Sequence, residues 1–299
     1  GNRVETAAAA TLAAVERYSA VLTGRALLAL ANDNLAAHET LLAQIEQRVS
    51  TGAGVTSDRL SAQARLAEAR SLQISRMAGL ERAQADYRQA FGTQAGALPQ
   101  PSPAPALAGT MAQIIAASPR VQASNARIQA ALADLAAARA QRWPSVIAGL
   151  GGQRLADGST DVALDMSLNY SLDTAGQRRA AIEVAQANVA SLTLEKDALE
   201  REIRRALDFV RSDQAAGRAR IAAARAAVQA NARTVAAAGE EFTIGRRSLL
   251  DLLDAQRDFV LAQQTLIEAE EQLLLSGYAA LALTGDILPA FGVALQDDL

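Results

Sequence analysis

Few residues in this 299-residue chain could do chemistry by type. Cysteine is absent, and the only histidine, His38, falls mid-helix by pattern and reads as exposed and inert. No nucleophile–base constellation, phosphate loop or metal-ligand spacing occurs, so the chain reads as neither an enzyme nor a cofactor protein. What remains is charge gathered beside two glycine turns. Arg247, Asp251 and Asp254 follow Gly245 in the run Glu241-Phe242-Thr243-Ile244-Gly245-Arg246-Arg247-Ser248-Leu249-Leu250-Asp251-Leu252-Leu253-Asp254-Ala255-Gln256, and Asp58 follows Gly52. Carboxylates in the first turn of a helix are favoured by the helix dipole, and Ser248 with Asp251 resembles a capping box. On chemistry alone, these acids start helices.

The elements that place them form a repeat. Thr51 to Gln63 aligns with Ile244 to Gln256 at a constant offset of 193 residues, which puts Gly52 on Gly245, Asp58 on Asp251, Leu60 on Leu253 and Ala62-Gln63 on Ala255-Gln256. The register continues without a gap to Gly92 and Gly285, where both helical runs end. An ungapped match through two whole helices indicates a duplicated helical hairpin.

Half the residues are hydrophobic but only 3% are aromatic. With Ala, Leu, Gln, Arg and Glu abundant, this points to long helices and coiled coil instead of an aromatic-cored globule. A net charge of −3 gives a nucleic-acid role no electrostatic support. No apolar run approaches the roughly 18–20 residues of a membrane-spanning helix, and Gly1 to Thr11 has no charged start followed by an apolar core. The pattern predicts helices from Arg3 to Val49 and from Thr56 to Ala90, then a connector with alternating prolines at 99, 101, 103 and 105. A short helix at Met111–Ala117 follows, and Ser118-Pro119 opens another that stops before Trp143-Pro144.

The period then changes. Val162, Leu164, Met166, Leu168, Tyr170 and Leu172 alternate with Asp161, Ala163, Asp165, Ser167, Asn169 and Ser171. A period of two over that span is a strand with one apolar and one polar face. Ser145 to Arg154 is a weaker strand before it, with the turn at Ala156 to Ser159. An isolated hairpin is marginal in water, so its partners are expected in other chains. Twelve residues reach about 40 Å, enough for a tilted crossing of a ~30 Å hydrocarbon layer. Trp143 and Tyr170 suit an interfacial belt. From Gln177 to Phe242 no proline occurs, so a helix of about 100 Å is expected. Ile221, Val228, Val235 and Phe242, then Leu253, Val260, Ile267, Leu274 and Leu281, recur every seventh residue, the signature of knobs-into-holes packing.

On four features the chain resembles the TolC family of outer-membrane efflux and secretion ducts. They are the tandem repeat, the phrase F-T-I-G-R-R-S-L-L-D-L-L-D-A-Q, the S-P-R-V-Q-A-S segment opening a helix, and the W-P junction into a strand. The resemblance implies a mainly α fold: long coiled-coil-like helical hairpins in two tandem repeats forming an α-barrel protomer, with one transmembrane β-hairpin for an outer-membrane β-barrel. It divides the chain into a first-repeat helical hairpin (1–92), a Pro-rich connector (93–110), an ascending helix (111–143), the β-hairpin (144–174), a long second-repeat helical hairpin (175–285) and a C-terminal segment (286–299). Family protomers carry two β-hairpins; only the second repeat's is present, so the chain is expected to be an N-terminally truncated piece.

The resemblance also implies roles. Residues matching Asp251 and Asp254 form carboxylate rings that narrow the periplasmic end, favour cations and are plugged by divalent ions. Those matching Asp58 and Arg247 link neighbouring helices and hold the entrance shut. Phe242 stands where some members carry a tyrosine whose hydroxyl joins the closing network. Turn tips Gly52, Gly54, Val55, Gly245 and Leu249 would meet a periplasmic adaptor protein. The implied assembly is a homotrimer in the cell outer membrane with a long periplasmic extension, contacting outer-membrane lipid and working with an adaptor and an inner-membrane pump. The phrase G-R-R-S-L-L-D-L-L-D-A-Q and the ending L-A-L-T-G-D-I-L-P look most like ducts of type I protein secretion, with multidrug ducts of resistance–nodulation–division systems as the alternative. Other-class rivals are a periplasmic adaptor, whose all-β modules are missing here, and a soluble coiled-coil scaffold.

Overall fold

The computed structural model describes residues 2–107, 109–154, 160–170 and 176–293. In chain order these form α1 (Asn2–Ser50), α2 (Thr56–Phe91), α3 (Met111–Ala117), α4 (Pro119–Ala140), β1 (Ser145–Arg154), β2 (Thr160–Asn169), α5 (Gln177–Thr243), α6 (Leu249–Thr284) and α7 (Ile287–Ala290). The chain divides into two compact units, one of Arg3–Ile114 with Arg205–Leu299 and one built on Ile115–Arg204. The first helical hairpin, the proline connector and the turn end of the second helical hairpin fall in the first unit; the β-hairpin and α5 up to Arg204 fall in the second.

In the first unit the duplication is visible down to single hydrogen bonds. Gly52 and Gly245 both take positive φ, 78° and 75°. In the first turn Gly52 N–H donates to Val49 O (3.1 Å) and Ala53 N–H to Arg48 O (2.8 Å). In the second, Gly245 N–H donates to Phe242 O (3.0 Å) and Arg246 N–H to Glu241 O (2.8 Å). Each pair is a Schellman motif, which uses a left-handed glycine to satisfy the last carbonyls of a helix. Both returning helices also end on left-handed glycines, Gly92 and Gly285. Gly24 and Gly217, one repeat apart, serve a different purpose. A β-carbon on either would lie 3.2 Å from a leucine methyl of the returning helix, Leu80 or Leu273.

The seven-residue stripe faces inward. Ile221, Phe242, Leu253 and Leu281 are buried, and the other stripe positions are half-buried. At the turn end, Leu41, Ile45, Ala62, Ala238, Phe242, Leu249, Leu252 and Leu253 from all four long helices share one core cluster. A second cluster at the opposite end joins Ala8, Tyr278, Leu281, Ile287 and Leu288, with Ala104 and Leu107 of the connector against it. Among the described residues the connector forms no helix or strand between Phe91 and Met111, so side chains hold it. Tyr18 Oη donates to Pro99 O (2.6 Å), Arg25 Nη2 to Ala95 O (2.7 Å) and Tyr278 Oη to Ser102 O (2.8 Å).

In the second unit, Pro119 occupies the first turn of α4, where its missing N–H costs nothing. The helix stops at Ala140, two residues short of the expected Arg142, because Trp143 N–H folds back on Ala140 O (2.9 Å) ahead of Pro144. Arg120 on α4 pairs with Glu202 on α5 at 3.1 Å. Strands β1 and β2 are antiparallel, with Val146 opposite Leu168, Ala148 opposite Met166 and Leu150 opposite Leu164. From Val146 to Gly152 and from Val162 to Leu168 one face of the ribbon is therefore apolar, yet Leu150 is 77% and Met166 74% exposed. On the other face, a β-carbon at Gly149 would lie 2.5 Å from Asp165 Oδ1, so the small residue makes room for a carboxylate. The expected turn at Ala156–Ser159 and the strand end at Ser171–Leu172 lie outside the described residues.

Candidate constriction at the helical turns

The acids flagged by sequence sit where α6 leaves its turn. Ser248 is the N-cap, with extended backbone and a side-chain oxygen that accepts from Asp251 N–H (3.2 Å). The Ser248 hydroxyl in turn donates to Asp251 Oδ2 at 2.8 Å. The carboxylate is thus locked to the helix start, as the dipole favours, while remaining exposed. One turn further on, Asp254 Oδ1 lies 3.6 Å from an Arg65 nitrogen and 3.5 Å from one of Arg257. Arg65 belongs to α2 and also holds Glu68 at 2.9 Å, so Asp254 is tied to the other hairpin.

Asp58 and Arg247 are not brought together within this chain. Asp58 is half-buried in the first turn of α2 and has no side-chain partner among the described residues. Arg247 reaches back across its own turn to Glu241 at 3.3 Å. Phe242 is 9% exposed and sits beneath Arg48, whose guanidinium carbon is 4.8 Å from the ring centroid. Arg48 Nη1 also donates to Phe242 O at 3.3 Å.

Among the tip residues, Gly52 and Gly245 are exposed, Gly54 is half-buried and Val55 is 58% exposed. Leu249 differs from the expectation. It is 3% exposed and part of the tip core, because the first residue of α6 points between the helices. The exposed apolar groups there are Ile244 (64%) and Leu250 (57%). Of the aromatics expected in an interfacial belt, Trp143 is 76% and Tyr170 56% exposed. The guanidinium carbon of Arg178 lies 5.6 Å from the Tyr170 ring centroid.

His38 is a correction. Instead of lying exposed it is 7% accessible, with Nδ1 lacking a hydrogen-bond partner. It borders a cavity of about 190 Å³ shared with Asn34, Arg65, Glu68, Leu253 and Arg257. Burial, reinforced by the Arg65 guanidinium and opposed by Glu68, holds the imidazole below its usual 6.5. The mid-helix position suggested exposure, but α1 turns this face toward α2 and α6.

Sequence reasoning missed Arg48, Arg65, Glu241 and Arg257. A signal was available in the repeat alignment. Arg48 falls on Glu241, Arg65 on Asp258 and Gly54 on Arg247, so charge differs between repeats where these contacts form.

The described residues thus comprise two repeated helical hairpins with acidic helix starts at their turns and a β-ribbon with an exposed apolar stripe. The model of the family described as Outer membrane efflux protein matches residues 110–285, and the chain belongs to that family, one of outer-membrane ducts and not of enzymes. The chain is 28% identical to outer membrane efflux protein BepC of Brucella suis over 291 residues, covering 91% of itself and 62% of that relative. Its fold matches the open-state MtrE outer membrane channel of Neisseria gonorrhoeae with a TM-score of 0.80 at 18% identity, over 96% of this chain and 68% of that one. The outer membrane protein VceC of Vibrio cholerae matches with a TM-score of 0.79 at 17% identity, over 94% and 71%. The chain thus spans about 62% of the length of the curated relative it matches.

Proposed function

We propose that the protein is a passive exit duct in the outer membrane, most specifically for type I protein secretion. It works as a homotrimer that an adaptor and an inner-membrane pump open. The observation that carries the duct reading is the β-ribbon. An apolar face more than 70% exposed at Leu150, Leu164 and Met166 is untenable in water and suited to lipid. Both outer edges of the ribbon are unpaired among the described residues, as closure with other ribbons requires. At the turn end, Asp251 and Asp254 repeated threefold form cation-attracting rings, with Asp58 and Arg247 linking helices at the same entrance. The exposed tip residues Gly52, Val55, Gly245 and Ile244 offer the adaptor its contact.

The second reading, small-molecule efflux, is favoured by the word efflux in the name of BepC. A strain lacking this gene separates the two. Type I secretion predicts loss of a large protein from the culture medium with unchanged tolerance of dyes and detergents. Efflux predicts lost tolerance with an intact secretome. Neither change would remove the duct reading.

A further inference from the structure

We propose that Arg48 is a positioning residue that tethers the two helical hairpins and limits how far their tips can separate. This rests on the gate reading above. Arg48 lies in the last turn of α1. Its carbonyl accepts Ala53 N–H at 2.8 Å and the Thr51 hydroxyl at 3.0 Å. Its backbone therefore belongs rigidly to the first turn, whereas its side chain does not stay there. The guanidinium crosses to the second hairpin, donating to Phe242 O at 3.3 Å and covering the Phe242 ring at 4.8 Å.

That carbonyl lies in the last turn of α5 and already accepts Gly245 N–H at 3.0 Å. Arg48 thus brings a cation to the negative end of a helix from another hairpin, and adds a cation–π contact to a ring shielded from water. Arg48 has no carboxylate partner among the described residues, so its charge is committed to Phe242.

The repeat shows that this is not a general feature of the turn. In the second repeat Glu241 occupies the place of Arg48 and pairs with Arg247 across its own turn at 3.3 Å. In the first repeat the place of Arg247 is Gly54, whose β-carbon would lie 3.1 Å from Val49 Cγ2. One tip closes on itself, and the other reaches across. Because Phe242 is packed among Leu41, Ile45, Leu249 and Leu253, any force on the tether is delivered to the tip core.

The test uses the full-length protein with spin labels on Ser50→Cys and Thr243→Cys, both exposed tip positions, in trimers diluted with unlabelled protomers. Arg48→Met keeps the length of the side chain and removes the cation. It should broaden the distance distribution between the labels and shift the open–closed equilibrium in bilayer recordings by roughly 5–30-fold. Arg48→Lys should recover most of that change, and Arg48→Met should have less than half the effect in a Phe242→Leu background. An unchanged distribution, or the same effect with and without the Phe242 ring, overturns the tether. If distances hold while Asp254→Asn alters cation block, the tether fails and the gate stands. If distances broaden while block is unaffected, the tether stands and the gate fails.

Discussion

Neutralising the two α6 carboxylates should separate a pore role from a structural one, because the structure assigns them little stability. Asp254 is half-exposed, with a side-chain accessibility of 52% and partners at 3.5 and 3.6 Å. Exposed pairs of this kind contribute about 0–1 kcal/mol. In Asp251→Asn the backbone N–H still donates to Ser248 Oγ, so the cap survives. The double variant Asp251→Asn/Asp254→Asn should therefore cost no more than about 1–2 kcal/mol and a few degrees of melting temperature.

The pore effect is larger. In bulk water a unit charge at 4 Å contributes about 1 kcal/mol to a monovalent cation. A threefold ring facing a divalent ion therefore contributes roughly 6 kcal/mol before the ion's own desolvation. Retaining a quarter of that, about 1.5 kcal/mol, is slightly more than a tenfold change in affinity. In planar bilayers, the double variant should raise single-channel conductance and require at least about tenfold more Mg²⁺ for half-block. Unchanged conductance and unchanged block, with the fold intact, would remove the constriction assignment. A fall of well over ten degrees in melting temperature would instead show that the carboxylates hold the tip together.

Three further outcomes follow from the same geometry. Val55→Ser copies the Ser248 cap into the first repeat, where Val55 has extended backbone and caps with no side chain; it should stabilise α2 by about 0.5–1 kcal/mol, read as slower amide exchange in the first turn. Leu164→Arg places a charge on the apolar face of β2 and should cost about 2–4 kcal/mol if that face meets lipid, seen as loss of heat-resistant trimer in membranes; wild-type trimer levels would contradict the lipid assignment. For His38, the lowered folded-state pKa means the unfolded chain binds the proton more readily below the usual value of 6.5. Stability should then be unaffected by this residue above that value and be lost as pH falls from it through the folded-state pKa. His38→Leu should narrow the difference in apparent melting temperature between about pH 7.5 and about pH 5.5, and an unchanged difference would place the acid sensitivity elsewhere.

What was legible in the sequence is what depends on spacing along one chain. The left-handed glycines at 52, 92, 245 and 285 mark both ends of both returning helices, because few other residues tolerate that backbone. The seven-residue stripe gave the buried seam, and the alternation over Val162–Leu168 gave the ribbon and its apolar face. His38 and Leu249 were misjudged for one physical reason. The face a helical residue presents depends on rotation about the helix axis relative to three neighbours, and spacing within one helix does not fix it.

The ion pairs at the tip were illegible for a related reason. A duplicated hairpin invites the assumption that equivalent positions do equivalent work, and for the backbone they do: Ala53 to Arg48 and Arg246 to Glu241 are the same bond at the same 2.8 Å. Side-chain contacts between the hairpins need no such equivalence, since the two hairpins present different side chains to each other. Arg65 holds Asp254 of the other repeat, while its own counterpart, Asp258, pairs with Arg257 at 3.4 Å. Duplication therefore preserves the turns that shape the tip and leaves its charges free to diverge, so the positions where paired repeats disagree in charge locate the contacts that can distinguish one tip from the other.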